Sequence, residues 1–295
     1  MKKLVFTLAT CCIMCACEQK TETNPFFTEF RTEYGAPDFD KIKIEHYEPA
    51  FLKGIEEQNA EIKAIVESRE TPGFENTIVA LDNSGRTLAR VKGVFYALTE
   101  ADTNDEMSAL SEKIAPVLSE HNDNIYLNQD LYKCVAAVWQ QEQEGKITLT
   151  TEQHRLLDKY YKAFIRSGAG LDAGKQNRLR EINKELSTLA ITFSNHVLNE
   201  NNAYRLVIDN EAELAGLPEW VKTGAAEEAK AVGKEGKWLF TLQNSSRLPL
   251  LQYADNRELR KDIYEAYINR GNNGDANDNL SSTYKCNFLG ADNKQ

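Results

Sequence analysis

Apolar residues recur at intervals of three and four along most of this chain, which places them on one face of successive α-helices. The longest such run extends from about 173 to 200, and shorter runs cover residues 78–98, 107–121, 127–138 and 156–164. The spacing predicts a mainly α fold, organised as a helical bundle lobe. Ser/Thr-x-x-Glu/Gln patterns beginning at Thr103 and Thr150 predict capping boxes for two of these helices.

The periodicity changes near residue 203, where apolar and polar residues begin to alternate. Residues at about 204–209 and 237–243 alternate in this way and predict a small two-stranded β insertion. Between them, Pro218 predicts the start of a short helix. A last helix is predicted to start at Asp255, with Glu258 completing its cap, and to end at Gly271.

Residues 280–295 follow an Asn- and Asp-rich loop and carry neither helical nor strand periodicity. A loop of this kind normally connects two helices, yet the spacing predicts no helix after Asn279. We therefore expect an atypical, truncated tail over 280–295.

The N-terminus has the proportions of a signal peptide. Lys2 and Lys3 precede a short apolar run over 4–16, which is too short to span a bilayer. The run ends at Cys17, and the small residue before that cysteine is typical of a bacterial lipobox. We predict a lipoprotein signal peptide over 1–17, a lipid anchor on Cys17 and a polar tether over 18–23. The protein would then be an exported lipoprotein of the bacterial cell envelope, on the periplasmic side or at the outer membrane. Secretion without a lipid is the alternative.

Charge and cysteine content exclude several classes. The chain has 35 Lys and Arg against 45 Asp and Glu, for a net charge of −10, which argues against binding nucleic acid. Only Cys134 and Cys286 lie outside the leader, so a disulfide scaffold is not expected. Cys134 lies on an apolar helical stripe, and core packing is its expected role.

The four histidines, His46, His121, His154 and His196, begin no His-Glu-x-x-His motif, the arrangement that binds zinc in many peptidases. His196 and Glu200 lie one helical turn apart and could contribute two metal ligands, although a helix-surface pair is the preferred interpretation. The sequence contains no Gly-rich phosphate loop and no serine nucleophile elbow. The residues alone thus predict no catalytic residue, no metal site and no cofactor.

Specific segments nevertheless resemble the thimet oligopeptidase family of zinc metallopeptidases, in its bacterial dipeptidyl carboxypeptidase (peptidyl-dipeptidase) branch. Two of them are Glu45-His46-Tyr47-Glu48-Pro49-Ala50-Phe51 and Asn269-Arg270-Gly271-Asn272-Asn273-Gly274. The others are 24–27, 36–42, 72–78, 101–106, 152–157, 179–186, 216–218 and 253–260. They follow in order over residues 24–279, which we expect to form the N-terminal lobe of such an enzyme.

This resemblance implies an all-helical, two-lobed peptidase whose deep channel admits short peptides, and whose branch releases C-terminal dipeptides. The front half of the family forms one wall of the channel and its lid. The zinc ligands and the general-base glutamate lie in the back half, so the resemblance gives no catalytic residue to this chain.

Two hypotheses follow. In the first, the chain is the N-terminal fragment of an exported zinc metallopeptidase and is inactive alone. In the second, it is a non-catalytic, lipid-anchored lobe that binds peptides or a partner. The irregular tail favours the first. In either case we expect an exposed apolar face, with marginal stability or self-association.

Overall fold

The computed structural model describes residues 24–292, and only the backbone of residues 288 and 290–292. This part of the chain is mainly helical with one small sheet, as predicted. Its helices are α1 (Ile44–Val66), α2 (Ala80–Asp82), α3 (Arg86–Ala101), α4 (Asp105–Tyr126), α5 (Gln129–Gln143), α6 (Thr151–Arg166), α7 (Ala173–Ala203), α8 (Glu219–Ala231), α9 (Asn244–Tyr253), α10 (Arg257–Ile268) and α11 (Leu280–Asp292). The strands are β1 (Leu206–Ile208) and β2 (Trp238–Phe240). No helix within 24–292 has both the length and the apolar content to cross a membrane. The predicted signal peptide, Cys17 and the tether lie outside the described residues.

Polar side chains at the first residues of several helices accept hydrogen bonds from free backbone N–H groups. The capping box predicted at Thr150 is confirmed, because its hydroxyl and the Gln153 side chain cap α6 reciprocally. Two other predicted starts are wrong by one or two residues. Asn104 rather than Thr103 caps α4, and α10 is capped by Asn256. In both cases an Asn follows the expected residue and its amide oxygen reaches the N–H groups of the first turn.

The apolar stripe over 78–98 does not form one helix, contrary to the prediction. A turn of π-helix (Phe74–Val79) leads into α2, and the chain then breaks at Gly85, where φ is +71°. A Cβ at this position would come within 2.4 Å of the Gln58 side chain on α1. The apolar spacing continues past the break, but the two halves pack into different cores. Ile78 and Leu81 belong to one core, and the apolar residues from Leu88 to Phe95 belong to another.

The buried apolar side chains of the described residues form three clusters. The first joins α1, α5 and α6 around Ile78, Leu131 and Phe164, and the second joins α1 and α3 around Phe51 and Phe95. The third lies against the sheet, where α8, α9 and α10 enclose side chains such as Phe240 and Ile263. Helix α7 packs along α4 and extends towards this third cluster.

The predicted β insertion is confirmed, with shorter strands than the alternation suggests. β1 and β2 pair antiparallel, with Leu206 opposite Phe240 and Ile208 opposite Trp238. The helix predicted after Pro218 is also present, as α8. Helix α9, which follows β2 directly, is not predicted by the sequence pattern.

The prediction that no helix follows Asn279 is wrong, because α11 begins at Leu280 and packs against α7. The Asp278 carboxylate accepts a hydrogen bond from the Leu280 N–H at 2.8 Å, which starts the helix. Leu289 is buried and Lys285 forms an ion pair with Glu185 of α7. A cap and tertiary packing therefore form this helix where apolar periodicity is weak, so the tail gives no argument for truncation.

Candidate functional site

A groove of about 440 Å³ lies between the C-terminal half of α7, the β2–α9 connection and the end of α10. Its apolar walls come from Phe193, Val197, Leu198 and Leu242. Its polar residues are Ser194, Asn201, Gln243, Asn244, Tyr267 and Arg270. Among the described residues that line it, none is Asp or Glu. The groove thus combines apolar walls with polar groups that include the cationic Arg270.

A second cleft, of about 430 Å³, adjoins the groove and shares Asn201 and Gln243 with it. Its walls include Trp220 on α8, whose side chain is 62% exposed, and the buried side chain of Phe240 on β2. Arg205 and Glu228 also line it. The two depressions share part of their lining, and both combine apolar with polar side chains.

Helix α7 holds the loop that carries Arg270 through a buried carboxylate. Glu200 is 8% exposed, and its Oε2 accepts hydrogen bonds from the Gly271 N–H at 2.7 Å and from Asn273 Nδ2 at 2.8 Å. The next residue, Asn201, accepts a bond from Arg270 Nη1 at 3.1 Å. Charge-assisted bonds of this kind are among the stronger ones in proteins. These hydrogen bonds hold the loop that follows α10 against the C-terminal part of α7.

His196 contacts the same loop. Its Nδ1 lies 2.9 Å from Asn279 Oδ1, and Asn279 Nδ2 donates to the Phe193 carbonyl at 3.3 Å. The preferred interpretation of His196 and Glu200 as a helix-surface pair is wrong, because Glu200 is buried by residues about 70 positions later in the chain. Both side chains instead attach the 270–279 loop to α7.

The aromatic ring of Tyr267 is enclosed by two arginines. The guanidinium carbons of Arg247 and Arg270 lie 3.5 Å and 3.9 Å from its centroid, and at these distances they must occupy opposite faces of the ring. Arg247 Nη2 also donates to Asn244 Oδ1 at 2.6 Å. The stack therefore connects the first turn of α9 to the end of α10, and both ends border the groove.

The described residues do not fit a zinc site. No three His, Cys, Asp or Glu side chains within 24–292 come close enough together to hold one metal ion. No step of peptide hydrolysis is therefore assigned to residues of the groove.

No family model matches the chain, but curated relatives do. It is 38% identical to dipeptidyl carboxypeptidase of Escherichia coli over 258 residues, which are 88% of this chain and 38% of that protein. It is 33% identical to oligopeptidase A of Salmonella typhimurium over 248 residues, 84% of this chain and 35% of that protein. This chain belongs to the thimet oligopeptidase family. The resemblance found in the sequence is thereby confirmed over most of the chain.

The matched region is only part of these relatives. The chain spans a little over one third of the length of the curated proteins it matches. The activity that their names describe belongs to proteins more than twice as long as the aligned segment.

The remaining histidines have local structural contacts in this member of the thimet oligopeptidase family. His46 Nδ1 accepts a bond from the Lys43 N–H at 3.0 Å and so caps the start of α1. His154 lies 2.8 Å from Glu142. His121 is 5% exposed and lies 2.7 Å from Gln58 Oε1. Burial, together with the charge of Lys92, lowers the pKa of the His121 imidazole.

Cys134 is partly buried on α5, in agreement with the predicted packing role. Burial raises the pKa of its thiol, and the nearby Asp130 carboxylate acts in the same direction. A nucleophilic cysteine requires the opposite shift, because the thiolate is the reactive form.

Proposed function

We propose that this chain forms the substrate-binding lobe of an exported zinc metallopeptidase resembling peptidyl-dipeptidase, which releases C-terminal dipeptides from short peptides. The observation that carries the proposal is the 38% identity to E. coli dipeptidyl carboxypeptidase across 88% of the chain. The groove of mixed polarity beside α7 supports it, since an extended peptide needs apolar pockets and nearby polar groups.

We expect the chain to hydrolyse no peptide by itself. Its 295 residues contain no His-Glu-x-x-His motif, and its four histidines are scattered among separate helices. The zinc ligands and general base that the family resemblance implies would have to come from outside this sequence.

A chimera tests this proposal. The matched region of E. coli dipeptidyl carboxypeptidase is replaced with residues 24–279 of this chain, and dipeptide release from an N-blocked peptide is followed by mass spectrometry. The chimera should release dipeptides in a chelator-sensitive reaction, whereas the 295-residue chain should release none. A folded, zinc-loaded chimera without activity would refute the assignment of the lobe. Chelator-sensitive release by the isolated chain would refute its inactivity.

We also propose that the protein is exported and attached to a membrane surface of the cell envelope by a lipid on Cys17. The support is the short apolar run and the lipobox-like sequence that ends at this residue. Expression in a bacterium with labelled fatty acid, followed by detergent phase partition, should place the wild-type protein in the detergent phase. The Cys17→Ser variant should carry no label, and equal labelling of both would contradict the proposal.

A second candidate function is a lipid-anchored lobe that binds a partner without catalysis. The observation that favours it is the exposure of apolar side chains around the third cluster, with Tyr264 52%, Ile268 54% and Trp220 62% exposed. A single chain with this surface should self-associate. Sedimentation velocity should show oligomers that dissociate in the Ile268→Lys variant. A clean monomer with a cooperative melting transition would count against this candidate.

A further inference from the structure

A separate cavity of about 200 Å³ is lined by residues of α1, α2, α3, α4 and α6 and of the turn between α2 and α3. Leucine and isoleucine side chains form its apolar part. Its polar part consists of one His, one Lys, one Asp, one Ser, two side-chain amides and two tyrosines. None of these residues lines the groove beside α7. A cavity of this size holds several waters or one small molecule.

A chain of hydrogen bonds fixes the tautomer of His121 at this cavity. The Ser84 hydroxyl donates to the Leu81 carbonyl at 2.8 Å, so its oxygen accepts from Gln58 Nε2 at 3.1 Å. Gln58 Oε1 therefore faces His121 Nε2, at 2.7 Å. Because an amide oxygen only accepts, Nε2 of His121 carries the proton and Nδ1 is an acceptor.

The Nδ1 atom of His121 is buried and has no hydrogen-bond partner in the described part of the chain. Protonation does not supply the missing hydrogen bond, since burial and the charge of Lys92 lower the pKa of this imidazole. A buried acceptor without a donor weakens the folded state. A ligand that brings a hydrogen-bond donor into the cavity would therefore stabilise it.

Two opposite charges line the same cavity and are not paired with each other. Lys92 of α3 forms no ion pair with any residue that the structure describes. Asp82 Oδ1 accepts a hydrogen bond from the Tyr160 hydroxyl at 2.8 Å, and Oδ2 has no partner among the described residues. Burial and the Asp82 carboxylate raise the pKa of Tyr160, so its hydroxyl stays a donor. The cavity thus offers an ammonium, a carboxylate oxygen and a neutral acceptor.

This set of groups favours a small zwitterion. An inorganic anion would contact Lys92 but give no hydrogen bond to His121, and a cation would be repelled by Lys92. A free amino acid has a carboxylate that can accept from Lys92 and an ammonium whose three hydrogens can reach Asp82 and His121. Its side chain can pack against the apolar lining, such as Leu88 and Leu118.

We propose that this cavity is a binding site for a free α-amino acid with a small apolar side chain. Lys92 contacts the ligand carboxylate and Asp82 contacts the ligand ammonium. His121 accepts a hydrogen bond from the same ammonium through Nδ1. The inference does not depend on the proposed function, because the site shares no residue with the groove and its test requires no hydrolysis.

Calorimetric titration of the full chain tests the site with three matched probes. They are L-valine, N-acetyl-L-valine, which lacks the ammonium, and L-valinamide, which lacks the carboxylate. L-Valine should bind at least about tenfold more tightly than either analogue, and high salt should reduce this preference. Equal binding of N-acetyl-L-valine would show a simple anion site, equal binding of L-valinamide a simple cation site, and no binding of L-valine a cavity for water alone. Each of these results would overturn the proposal.

Two variants and a control locate the ligand. Lys92→Gln and Asp82→Asn each remove one charge from an exposed residue, so both should fold, and Asn at 82 can still accept from Tyr160. Each should weaken the binding of L-valine at least about tenfold. Lys159→Gln removes an exposed charge of α6 outside the cavity and should change nothing. Wild-type affinity in both cavity variants would exclude the site.

The imidazole of His121 gives an independent signal. In protein labelled with ¹⁵N-histidine, the Nδ1 resonance of His121, identified by its loss in His121→Gln, should shift when L-valine is added. The resonances of His154, which pairs with Glu142 on another surface, should not move. An unchanged His121 resonance at saturating L-valine would place the ligand elsewhere and refute the proposal.

Discussion

Replacement of Glu200 by Ala should release the 270–279 loop from α7. The substitution removes two hydrogen bonds to a charged acceptor, at 2.7 Å and 2.8 Å, and leaves the buried Gly271 N–H without a partner. Each such bond contributes about 1.5–3 kcal/mol, but removal of a buried carboxylate offsets part of the loss. We therefore expect a net destabilisation of about 3 kcal/mol.

Hydrogen exchange and urea unfolding measure this effect locally and globally. A loss of about 3 kcal/mol corresponds to roughly 100-fold faster exchange of the amides in 270–279, if they exchange by local opening. Glu200→Gln retains an acceptor oxygen and should cost only about 1 kcal/mol. Glu181→Ala, on an exposed face of the same helix, should stay within about 0.5 kcal/mol of the wild type. Exchange in the Glu200→Ala variant within about threefold of the wild-type rate would refute the role of Glu200 as the attachment of the loop.

Three further predictions concern helices α1, α3, α4 and α10. Gly54→Ala should destabilise the chain by about 2 kcal/mol in urea unfolding, because the new Cβ would lie 2.8 Å from the Leu88 backbone. Gly93→Ala on α3 is the control. Its Cβ would meet no other atom within 4 Å, so it should stabilise the chain by about 0.5–1 kcal/mol. Equal effects of the two would contradict the close approach of α1 and α3. The pKa of His121 is lowered from its ordinary value of 6.5, so at acid pH the unfolded chain binds a proton that the folded chain does not. The unfolding free energy should therefore fall as the pH drops below about 6.5. His121→Gln should flatten this pH dependence. Asn256→Ala removes the cap of α10 and should cost about 1 kcal/mol, measured by thermal melting, whereas Asp255→Ala should cost less.

The sequence predicts the helices that bury a continuous apolar face, and it fails where other forces form them. The span of α7 and the pairing of the two strands follow directly from hydrophobic periodicity. Helix α9 contains Pro249 and has little amphipathic character, so periodicity does not reveal it. Helix α11 depends on a cap and on packing against α7, both of which require the neighbouring chain.

The candidate site is less predictable because its parts are distant in sequence. The motif containing Arg270 and Gly271 is recognisable by resemblance, but its physical role depends on Glu200 and Asn201, about 70 residues earlier. A carboxylate one turn from His196 is more often exposed, and nothing local indicates that a loop will bury it. Arg247 follows two serines and precedes a leucine and a proline, a context without any signal of burial.

The bond between Glu200 and Gly271 also brings the two ends of an intervening segment together. Residues 201–270 leave α7 and return to it at the same place, and between these points they form the sheet, α8, α9, α10 and a core of their own. A segment with adjoining ends can change in length or sequence without altering the path of the chain on either side. The segment 201–270, and with it more than half of the residues that line the groove, can therefore vary in evolution while the long helices that support it stay the same.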